Sequence, residues 1–309
     1  MHKYVIKRIL WVIPVILGVS FAVFTIMHFS PGDPALIILG ESAPAEAVAK
    51  LQTEMGLDRP FLVQFFSYVY NVFFKFDLGR SYISNRPVLN EILTRLPNTL
   101  KLATLSITVA AVVGIPLGVM AAIRPYSKVD NITMVFALIG VSMPAFWMGL
   151  LLIIVFSLTL GWFPATGFDS WRQMILPVFT LASASIGSIA RITRSSVIDV
   201  AGQDFIRTAR AKGASGFMIV FQHTLRNALL PVVTVIGLQF GALLGGAVLT
   251  ETIFSINGLG TLMVNAIRQR DMMILQGTIL LVAIVFTLVN LSVDILYGFI
   301  DPRISSQYK

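Results

Sequence analysis

The polar residues best placed to do chemistry lie in one stretch, Asp204–Pro231, which reads DFIRTARAKGASGFMIVFQHTLRNALLP. Asp204 can cap a short helix, and Gly213 can end it. Such a helix carries small alanines beside basic side chains, a surface that fits a groove on another protein. A basic segment lying on anionic lipid would explain the charge but not the placement of Ala and Gly, so the pattern favours docking. The predicted docking residues are Arg207, Thr208, Ala209, Arg210, Ala211, Lys212 and Gly213.

A second helix is predicted directly after this stop. Its apolar residues recur at helical spacing on one face, and it enters a long apolar run at Pro231. The face consists of Phe217, Val220, Phe221, Leu225 and Leu229.

Motifs for covalent chemistry are missing from the sequence. No lysine is followed by Ser or Thr, so the phosphate-binding end of a P-loop is absent. The chain has no cysteine, and His2, His28 and His223 do not have the spacing of metal ligands. We therefore predict no catalytic residue, no metal site and no cofactor bound by this chain.

The elements that position the docking helix are six long charge-free runs. A hydrophobic content of 56% and a mean hydropathy of +0.83 are typical of a membrane protein. Each run is long enough, or nearly so, to cross roughly 30 Å of hydrocarbon as a helix. We predict an all-α integral membrane protein with an external helical segment after the first span and a docking loop, residues 191–228, between the fourth and fifth. The predicted spans are Ile9–Phe29, Leu102–Ile123, Ile132–Leu160, Gln173–Ala190, Leu229–Thr250 and Met273–Val293.

The basic residues indicate how the chain is oriented. A net charge of +8 could indicate nucleic-acid binding, but the Lys and Arg residues lie between apolar runs, where the positive-inside rule explains them. Basic residues concentrate on the side of both termini and of loop 191–228, whereas the opposite short loops hold only Arg172, Arg268 and Arg270. Both termini are therefore predicted to be cytoplasmic, with membrane lipid and not nucleic acid as a partner.

This topology divides the chain into four parts. Residues 1–29 hold a tail and the first span, 30–101 an external segment with interfacial helices, 102–293 the core of five spans, and 294–309 a cytoplasmic tail. In the external segment, Ser42–Gly56 predicts a helix capped by Ser42 and ended by Gly56, and Pro87–Leu96 predicts another. Pro60–Phe74 is aromatic and short for a span, so we predict an interfacial helix, which could be partly inserted; if it crossed the membrane, every later segment would be reversed.

Small and acidic residues of the fifth span mark two further candidates. Gly237, Gly241 and Gly245 fall four apart, which lets another helix approach closely, either within the chain or from a partner subunit. Glu251 lies at the external end of this span, where a carboxylate is usually an anchor but could contact a substrate amine. Glu251 and Asp294 both lie at span ends, unlike the mid-membrane relays of an autonomous ion-coupled transporter.

The stretches RTARAKGAS and HTLRNALLPVVTVIGLQ resemble the EAA loop of binding-protein-dependent ABC importer permeases, in the form used by the oligopeptide and dipeptide branch. The resemblance runs the length of the chain and is specific for the B-type permease, closest to dipeptide or glutathione permeases. Further matching pieces are SPGDPA, MGLDRPFLVQFFSYV, DLGRSYISNRPV, GWFPATG, ARITRSSVIDV, ETIF, GLG and VDILYGFIDPRI.

The resemblance implies a set of partners and a role for the docking helix. A second homologous permease would complete the translocation path, two cytoplasmic ATPases would bind ATP and Mg²⁺, and an extracytoplasmic binding protein would deliver the cargo. The helix Arg207–Gly213 would be the coupling helix that enters an ATPase groove. The membrane would be the inner membrane of a bacterial or archaeal cell.

Departures from the family pattern leave some points open. Arg207 and Thr208 stand where the general motif has Glu and Ala, as is usual in the peptide branch. In the external segment before the sixth span, Asn257 stands where relatives often carry Pro, so Asn257 joins Glu251 as a candidate for an external gate or substrate contact. The cargo stays open among dipeptides, oligopeptides, glutathione and nickel chelates, and an ATPase-independent secondary transporter is the alternative from another class.

Overall fold

The computed structural model describes residues 2–30, 32–40 and 42–300 of the chain. Within these ranges the regular structure is helical, and the only β feature is an isolated bridge between Arg80 and Pro87. The helices are α1 (His2–His28), α2 (Pro34–Leu39), α3 (Ala45–Met55), α4 (Phe61–Phe74), α5 (Val88–Ile123), α6 (Lys128–Ser142), α7 (Ala145–Leu152) with the π-helical Ile153–Thr159, α8 (Trp171–Ala201), α9 (Asp204–Ala211), α10 (Gly216–Met218) with the π-helical Ile219–Leu225, α11 (Arg226–Ile253), α12 (Leu259–Gln269) and α13 (Met272–Ile300).

The all-helical membrane fold predicted from the sequence is confirmed. In the described part of the chain, five helices are long and apolar enough to cross a membrane, or six if the bent pair α6–α7 is one span. Two of the helices extend beyond the apolar runs predicted for them: α8 continues to Ala201, and the helical path of the fifth span begins at Gly216. The predicted loop 191–228 is therefore mostly helix, with its breaks at residues 202–203 and 212–215.

The third predicted span, Ile132–Leu160, is sharply bent, and it is one span only if its two helices are counted together. Its two halves meet at an angle of 106° between Ser142 and Ala145. Met143 is extended (φ −76°, ψ 127°), since a proline ring disfavours the helical conformation in the residue before it, and Pro144 has no N–H to continue the ladder. Pro116 and Pro177, by contrast, lie inside continuous helices.

Three predictions at helix ends also need correction. The cap position of α3 is Pro44, and Ser42 lies too far before the helix for its hydroxyl to reach the free N–H groups. Gln203 holds the cap position of α9, so Asp204 is the first helical residue instead. Pro87–Leu96 is not a separate helix, because α5 runs without a break from Val88 to Ile123. The predicted terminator Gly56 is confirmed, with φ 69° in the left-handed region.

Two of the predicted part boundaries fall inside helices. Residue 101 lies within α5, and the tail predicted from residue 294 starts within α13. Residues 301–309 of that tail lie outside the described residues.

Successive long helices run in opposite directions, so the connections gather at two ends of the bundle. We call one the α12 end, formed by residues 30, 32–40, 42–87, 160–170 and 254–271; there Gly167 N–H donates to the Phe254 carbonyl at 2.9 Å. The other is the α9 end, formed by residues 124–127 and 202–215.

Helix α8 lies at the centre of the bundle, where small residues let its neighbours approach. A Cβ atom on Gly118 of α5 would collide with the Ala190 carbonyl of α8, and one on Gly187 of α8 would collide with the Ala137 carbonyl of α6. Around these contacts the largest core cluster joins α5, α8 and α11 through Leu102, Ile189 and Leu244, among others.

Candidate functional site

The predicted docking helix is present as α9, and local geometry explains its length. Asp204 places a negative charge in the first turn, where the helix dipole favours it, and the Thr208 hydroxyl donates to the Asp204 carbonyl at 3.0 Å. After Ala211 the chain turns at Gly213, whose φ of +84° is in the left-handed region. The Gly213 N–H donates to the Arg210 carbonyl at 3.0 Å and closes the last turn.

Helix α9 contacts the bundle through one buried apolar residue, and its basic residues are exposed. Ile206 is 1% exposed and fixes the helix to the bundle. The other side of the helix is exposed, and within the described residues neither Arg210 nor Lys212 forms an ion pair. Of the predicted docking residues, Ala209 is half-buried and the exposed ones are Arg207, Thr208, Arg210, Ala211, Lys212 and Gly213.

Two aromatic rings extend this outward surface. The Phe217 and Phe221 ring centroids are 4.5 Å apart, and the two side chains are 73% and 46% exposed. The sequence predicted them on one face with Val220, Leu225 and Leu229, but those three are half-buried. The π-helical Ile219–Leu225 explains the split, because its wider turn shifts the angular positions that a regular α-helix would have.

An ion pair that sequence reasoning missed holds the α9 end together. The Arg194 guanidinium of α8 donates two hydrogen bonds of 2.6 Å to the Asp130 carboxylate of α6, one to each oxygen. Asp130 is 1% exposed, and it also accepts from the Tyr126 N–H at 2.8 Å. Arg194 was counted only as a topology signal, and no local pattern links it to a residue 64 positions away. The pair ties the end of α8, which leads into α9, to the start of α6.

A small apolar cluster completes this end of the bundle. Val119 and Ala122 of α5 pack with Val197 of α8 and Ala228 of α11, and all four are buried. The two helices that flank α9 are therefore packed against a common neighbour, so a displacement of α9 would act on α5, α8 and α11 together.

At the opposite end, the candidate Glu251 is fully buried, with 0% exposure. Its carboxylate accepts from the Thr99 hydroxyl at 2.6 Å, the Gly260 N–H at 2.7 Å and the Thr261 N–H at 3.2 Å. Thr99 also accepts from the Leu259 N–H at 2.8 Å. Glu251 therefore fixes the start of α12 to α5, and in this conformation it does not face solvent.

Two glycines leave the space that this carboxylate occupies. A Cβ atom on Gly258 would collide with the Glu251 carboxyl group, and one on Gly260 would collide with Val248 of α11. The candidate Asn257 beside them is exposed; its side-chain oxygen accepts from Arg95 Nε at 3.1 Å, and its carbonyl accepts from Asn98 at 2.9 Å. We call residues 254–261, with Glu251 and Thr99, the Glu251 cluster.

A second buried carboxylate holds the loop that precedes α5 through hydrogen bonds. Asp271, which is 3% exposed, accepts from the Ser81 hydroxyl and from the N–H groups of Tyr82 and Ile274. Burial, together with the nearby Asp271 carboxylate, raises the pKa of Tyr82 to about 12. The corner between α12 and α13 is thereby joined to residues 81–82.

The glycines predicted as a packing seam have different surroundings. Cβ atoms on Gly237 and Gly241 would collide with Val293 and Phe286 of α13, so these two glycines pack within the chain. Gly245 has nothing within 4 Å of such an atom and is exposed.

Metal ligation finds no support in the described part of the chain, where no group of three or more His, Cys, Asp or Glu residues is placed to hold an ion. The side chain of Asp294 lies outside the described residues.

Comparison with known families gives two matches that together span nearly the whole chain. Residues 114–306 match the family described as binding-protein-dependent transport system inner membrane component. Residues 1–103 match the N-terminal domain of the same kind of membrane component.

Individual relatives cover the full length. The chain is 46% identical over 304 residues to the glutathione transport system permease protein GsiC of Escherichia coli O6:H1, covering 98% of this chain and 99% of the relative. It is 45% identical, with the same coverage, to GsiC of Salmonella typhi.

Solved structures share the fold of the core. An inward-facing structure of the MetNI methionine ABC transporter matches with a TM-score of 0.58 at 18% identity, covering 69% of this chain and 97% of the other. An amino acid ABC transporter crystallised with histidines matches with a TM-score of 0.52 at 17% identity, covering 70% and 94%.

Proposed function

Because the chain belongs to the family of binding-protein-dependent transport system inner membrane components and is a permease subunit of an ABC importer, we propose that it imports short peptides. We also propose that α9 transmits the motion of the ATPases to the membrane-spanning helices. As a multi-pass inner-membrane permease it works with an ATPase and a substrate-binding protein. The proposed assembly contains this chain, a second homologous permease, two ATPase subunits that bind ATP and Mg²⁺, and one binding protein.

The observation that carries the coupling role is the surface of α9. Arg210 and Lys212 are exposed on a short helix that stands on one buried anchor, Ile206. Exposed Phe217 and Phe221 add apolar area beside it. A basic helix with small side chains and an adjoining aromatic pair fits a groove with an acidic rim and an apolar floor. We assign the ATPase contact to Arg207, Thr208, Ala209, Arg210, Ala211, Lys212 and Gly213.

The path from α9 to the spans is short. Gln203 joins α9 to α8, and Ser215 joins it to the helical path of α11. The Asp130–Arg194 pair fixes the end of α8 to α6, so a pull on α9 would move these helices as a unit. In the proposed cycle, closure of the ATPases around ATP displaces α9 and rocks the spans between inward-facing and outward-facing states.

A partner permease would use the exposed face of α11. Leu238, Ala242, Gly245 and Leu249 are exposed and follow one another at helical spacing. Gly245 allows a second helix to approach closely there. Of the three glycines predicted for a seam, Gly245 is the one that we retain, since Gly237 and Gly241 contact α13.

The external gate is proposed to include the Glu251 cluster. Asn257 is the exposed member that could meet substrate or binding protein, whereas buried Glu251 would hold the start of α12 in place. In this assignment Glu251 is a positioning residue.

Topology can be tested directly, because the chain has no cysteine of its own. We propose that the α9 end and both termini are cytoplasmic. Ser42→Cys and Ser215→Cys, both at exposed positions, should react with a membrane-impermeant thiol reagent from outside and from inside, respectively. The reverse pattern would contradict the orientation.

The cargo assignment rests on relatives that are named for glutathione transport. We propose a short peptide, with glutathione as the first candidate. The test is to purify the chain from its native membrane with its partners, identify them by mass spectrometry, and measure ATP-dependent uptake of labelled glutathione, dipeptides and oligopeptides into liposomes. Uptake of one class that requires ATP and the binding protein supports the assignment. Uptake by the chain alone without ATP would contradict it.

A further inference from the structure

The exposed face of α5 changes from polar to apolar along its length. Toward the α12 end, polar residues follow one another at intervals of three or four positions, so they share one side of the helix. Further along, the same side is apolar, with Val112 67% and Met120 54% exposed. We call the polar part the α5 polar face; it consists of Thr94, Asn98, Lys101, Thr104 and Thr108. Its residues are exposed except for Asn98, which is half-buried.

The α5 polar face extends from outside the membrane into it. Helix α5 has 36 residues and is roughly 54 Å long, so it exceeds a hydrocarbon core of roughly 30 Å by about 16 residues. At the α9 end the helix is followed directly by Arg124, which marks the membrane boundary there, so the excess lies at the α12 end. About 20 residues counted back from Ile123 place Thr104 and Thr108 within the core and Lys101 at its edge.

Lipid is a poor neighbour for this face. Polar and ionisable side chains in a span usually face the interior of an assembly or a water-filled cavity. The exposed side of α11 that we assign to the second permease is apolar, with Leu238 53% and Leu249 55% exposed. The polar side of α5 therefore differs from the surface expected to be covered by that subunit, and it suits contact with water and cargo.

One end of the α5 polar face joins the residue that we assign to the external gate. Asn98 Nδ2 donates to the Asn257 carbonyl at 2.9 Å. Lys101 follows Asn98 by about one helical turn, on the side toward the membrane. Cargo that passes Asn257 would therefore meet the Lys101 side chain next.

The charge of Lys101 is not used within the described part of the chain. Arg95 of the same helix forms an ion pair with Glu91, whereas Lys101 forms none there. Lys101 Nζ lies 5.6 Å from the centroid of the Phe168 ring, a cation–π contact that keeps the ammonium group at the α12 end. This contact leaves the ammonium group able to donate hydrogen bonds to an anion.

We propose that the α5 polar face lines the translocation path near the α12 end and that the Lys101 ammonium group binds a carboxylate of the passing peptide. This inference rests on the proposed function and adds the group of the cargo that this chain recognises. A peptide with a free C-terminus carries a carboxylate, and glutathione carries two, so the charges are complementary. One cation followed by neutral hydroxyl groups attracts the cargo without holding it too tightly to leave.

The first test compares uptake of a labelled peptide with uptake of the same peptide whose C-terminus is an amide. The complete importer is placed in liposomes with ATP, and its binding protein is saturated with each peptide, so that the preference of the binding protein does not enter. Lys101→Gln should lower uptake of the free acid about fivefold, which corresponds to about 1 kcal/mol for an exposed ion pair, and leave uptake of the amide unchanged. Lys101→Arg should keep the wild-type ratio, because the charge is retained.

The matched control is Lys50→Gln, which removes an exposed lysine of α3 and should also keep the wild-type ratio. A wild-type ratio in Lys101→Gln would overturn the proposal. If that variant also binds the binding protein more weakly, Lys101 is a contact of that protein instead.

The second test does not depend on the cargo. Because the chain has no cysteine, Thr104→Cys and Thr108→Cys can be treated singly with impermeant thiol reagents added outside during ATP turnover. Both variants should react faster with an anionic reagent than with its cationic analogue, and adding Lys101→Gln should remove that difference. The control Leu17→Cys, at an exposed apolar position of α1, should not react. No reaction at positions 104 and 108 would show that lipid or protein covers this face, which would overturn the proposal.

The two tests separate this inference from the proposed function. If wild type imports no peptide, the cargo assignment fails, and the thiol reactions still decide whether the α5 polar face lines an aqueous path. If wild type imports both peptides and Lys101→Gln keeps their ratio, the proposed function stands and the inference about Lys101 fails.

Discussion

The Glu251 cluster at the α12 end and helix α9 at the α9 end use charge in opposite ways. At the α12 end, Glu251 is fully buried and accepts hydrogen bonds from three groups of its own chain. At the α9 end, Arg210 and Lys212 are exposed on α9, and no carboxylate of the described residues forms an ion pair with them. The first arrangement stabilises the chain itself, whereas the second contributes no ion pair within the described part of the chain, as we expect of a surface that binds a partner.

The difference predicts which measurement each region should change. Removing a buried acceptor leaves its donors without partners in a site that water does not reach, so unfolding becomes easier. Removing an exposed cation leaves nothing unsatisfied within the chain, so the effect should be seen only in the assembled importer. Substitutions in the Glu251 cluster and on α9 can therefore separate stability from coupling.

The largest effect on stability is expected at Glu251. Glu251→Ala leaves the donors of Thr99 and Gly260 unpaired and opens a cavity, and we expect it to lower the free energy of unfolding by about 3–5 kcal/mol. Glu251→Gln should lose less, because its amide oxygen still accepts from the Gly260 N–H. The measurement is the thermal unfolding midpoint of the purified protein by intrinsic fluorescence. An Ala variant that melts with wild type would show that the cluster does not stabilise the fold.

A smaller loss is expected from the Asp130–Arg194 pair. Breaking a fully buried pair costs about 3–5 kcal/mol, but the Arg194 side chain is 23% exposed, so we expect about 1–3 kcal/mol for Asp130→Asn. The double variant with Arg194→Gln should lose less than the sum of the two single losses, since each single change leaves one charge unpaired. Additive losses in this double-mutant cycle of unfolding midpoints would mean that the pair does not act as a unit.

Much of the fold could be predicted from the sequence, because its signals are local. Charge-free runs mark the spans, and Gly213 and Gly56 end their helices where left-handed backbone is needed. The bend at Pro144 could not be predicted in this way. Pro116 and Pro177 look the same in the sequence, yet they lie inside continuous helices whose neighbours accommodate them.

The candidate site was predicted only in part, for a similar reason. The presence of α9 and its end at Gly213 could be predicted from a short local pattern, although its start lies one residue earlier than predicted. The burial of Glu251 depends on Thr99, 152 positions away in the chain, and nothing near Glu251 indicates that contact. The predicted apolar face, from Phe217 to Leu229, is interrupted by the π-helical segment Ile219–Leu225, which changes the helical spacing that the sequence pattern assumes.

A substitution at Gly213 should affect both the stability of the chain and the coupling to the ATPases. Its φ of +84° disfavours any β-branched residue, although no atom lies within 4 Å of the added Cβ position, so the cost comes from the backbone alone. We expect Gly213→Val to cost about 1–2 kcal/mol locally and to reduce substrate uptake per ATP hydrolysed in the reconstituted importer. Gly216→Ala is the matched control, since its site is equally open and its backbone is not left-handed. Normal coupling by the Val variant, at normal expression, would contradict the coupling role of α9.

The smallest effect on stability is expected from Arg210→Gln with Lys212→Gln. Both side chains are exposed and unpaired in the described part of the chain, so the unfolding midpoint of the isolated permease should equal that of wild type. Binding of the ATPase subunits should weaken, and the difference from wild type should shrink as salt is raised, because salt screens the attraction between a basic helix and an acidic groove. The comparison needs a titration of ATPase binding at low and high ionic strength. A variant that binds as wild type at low salt would show that α9 docks through its apolar contacts, leaving Phe217 and Phe221 as the side chains to change next.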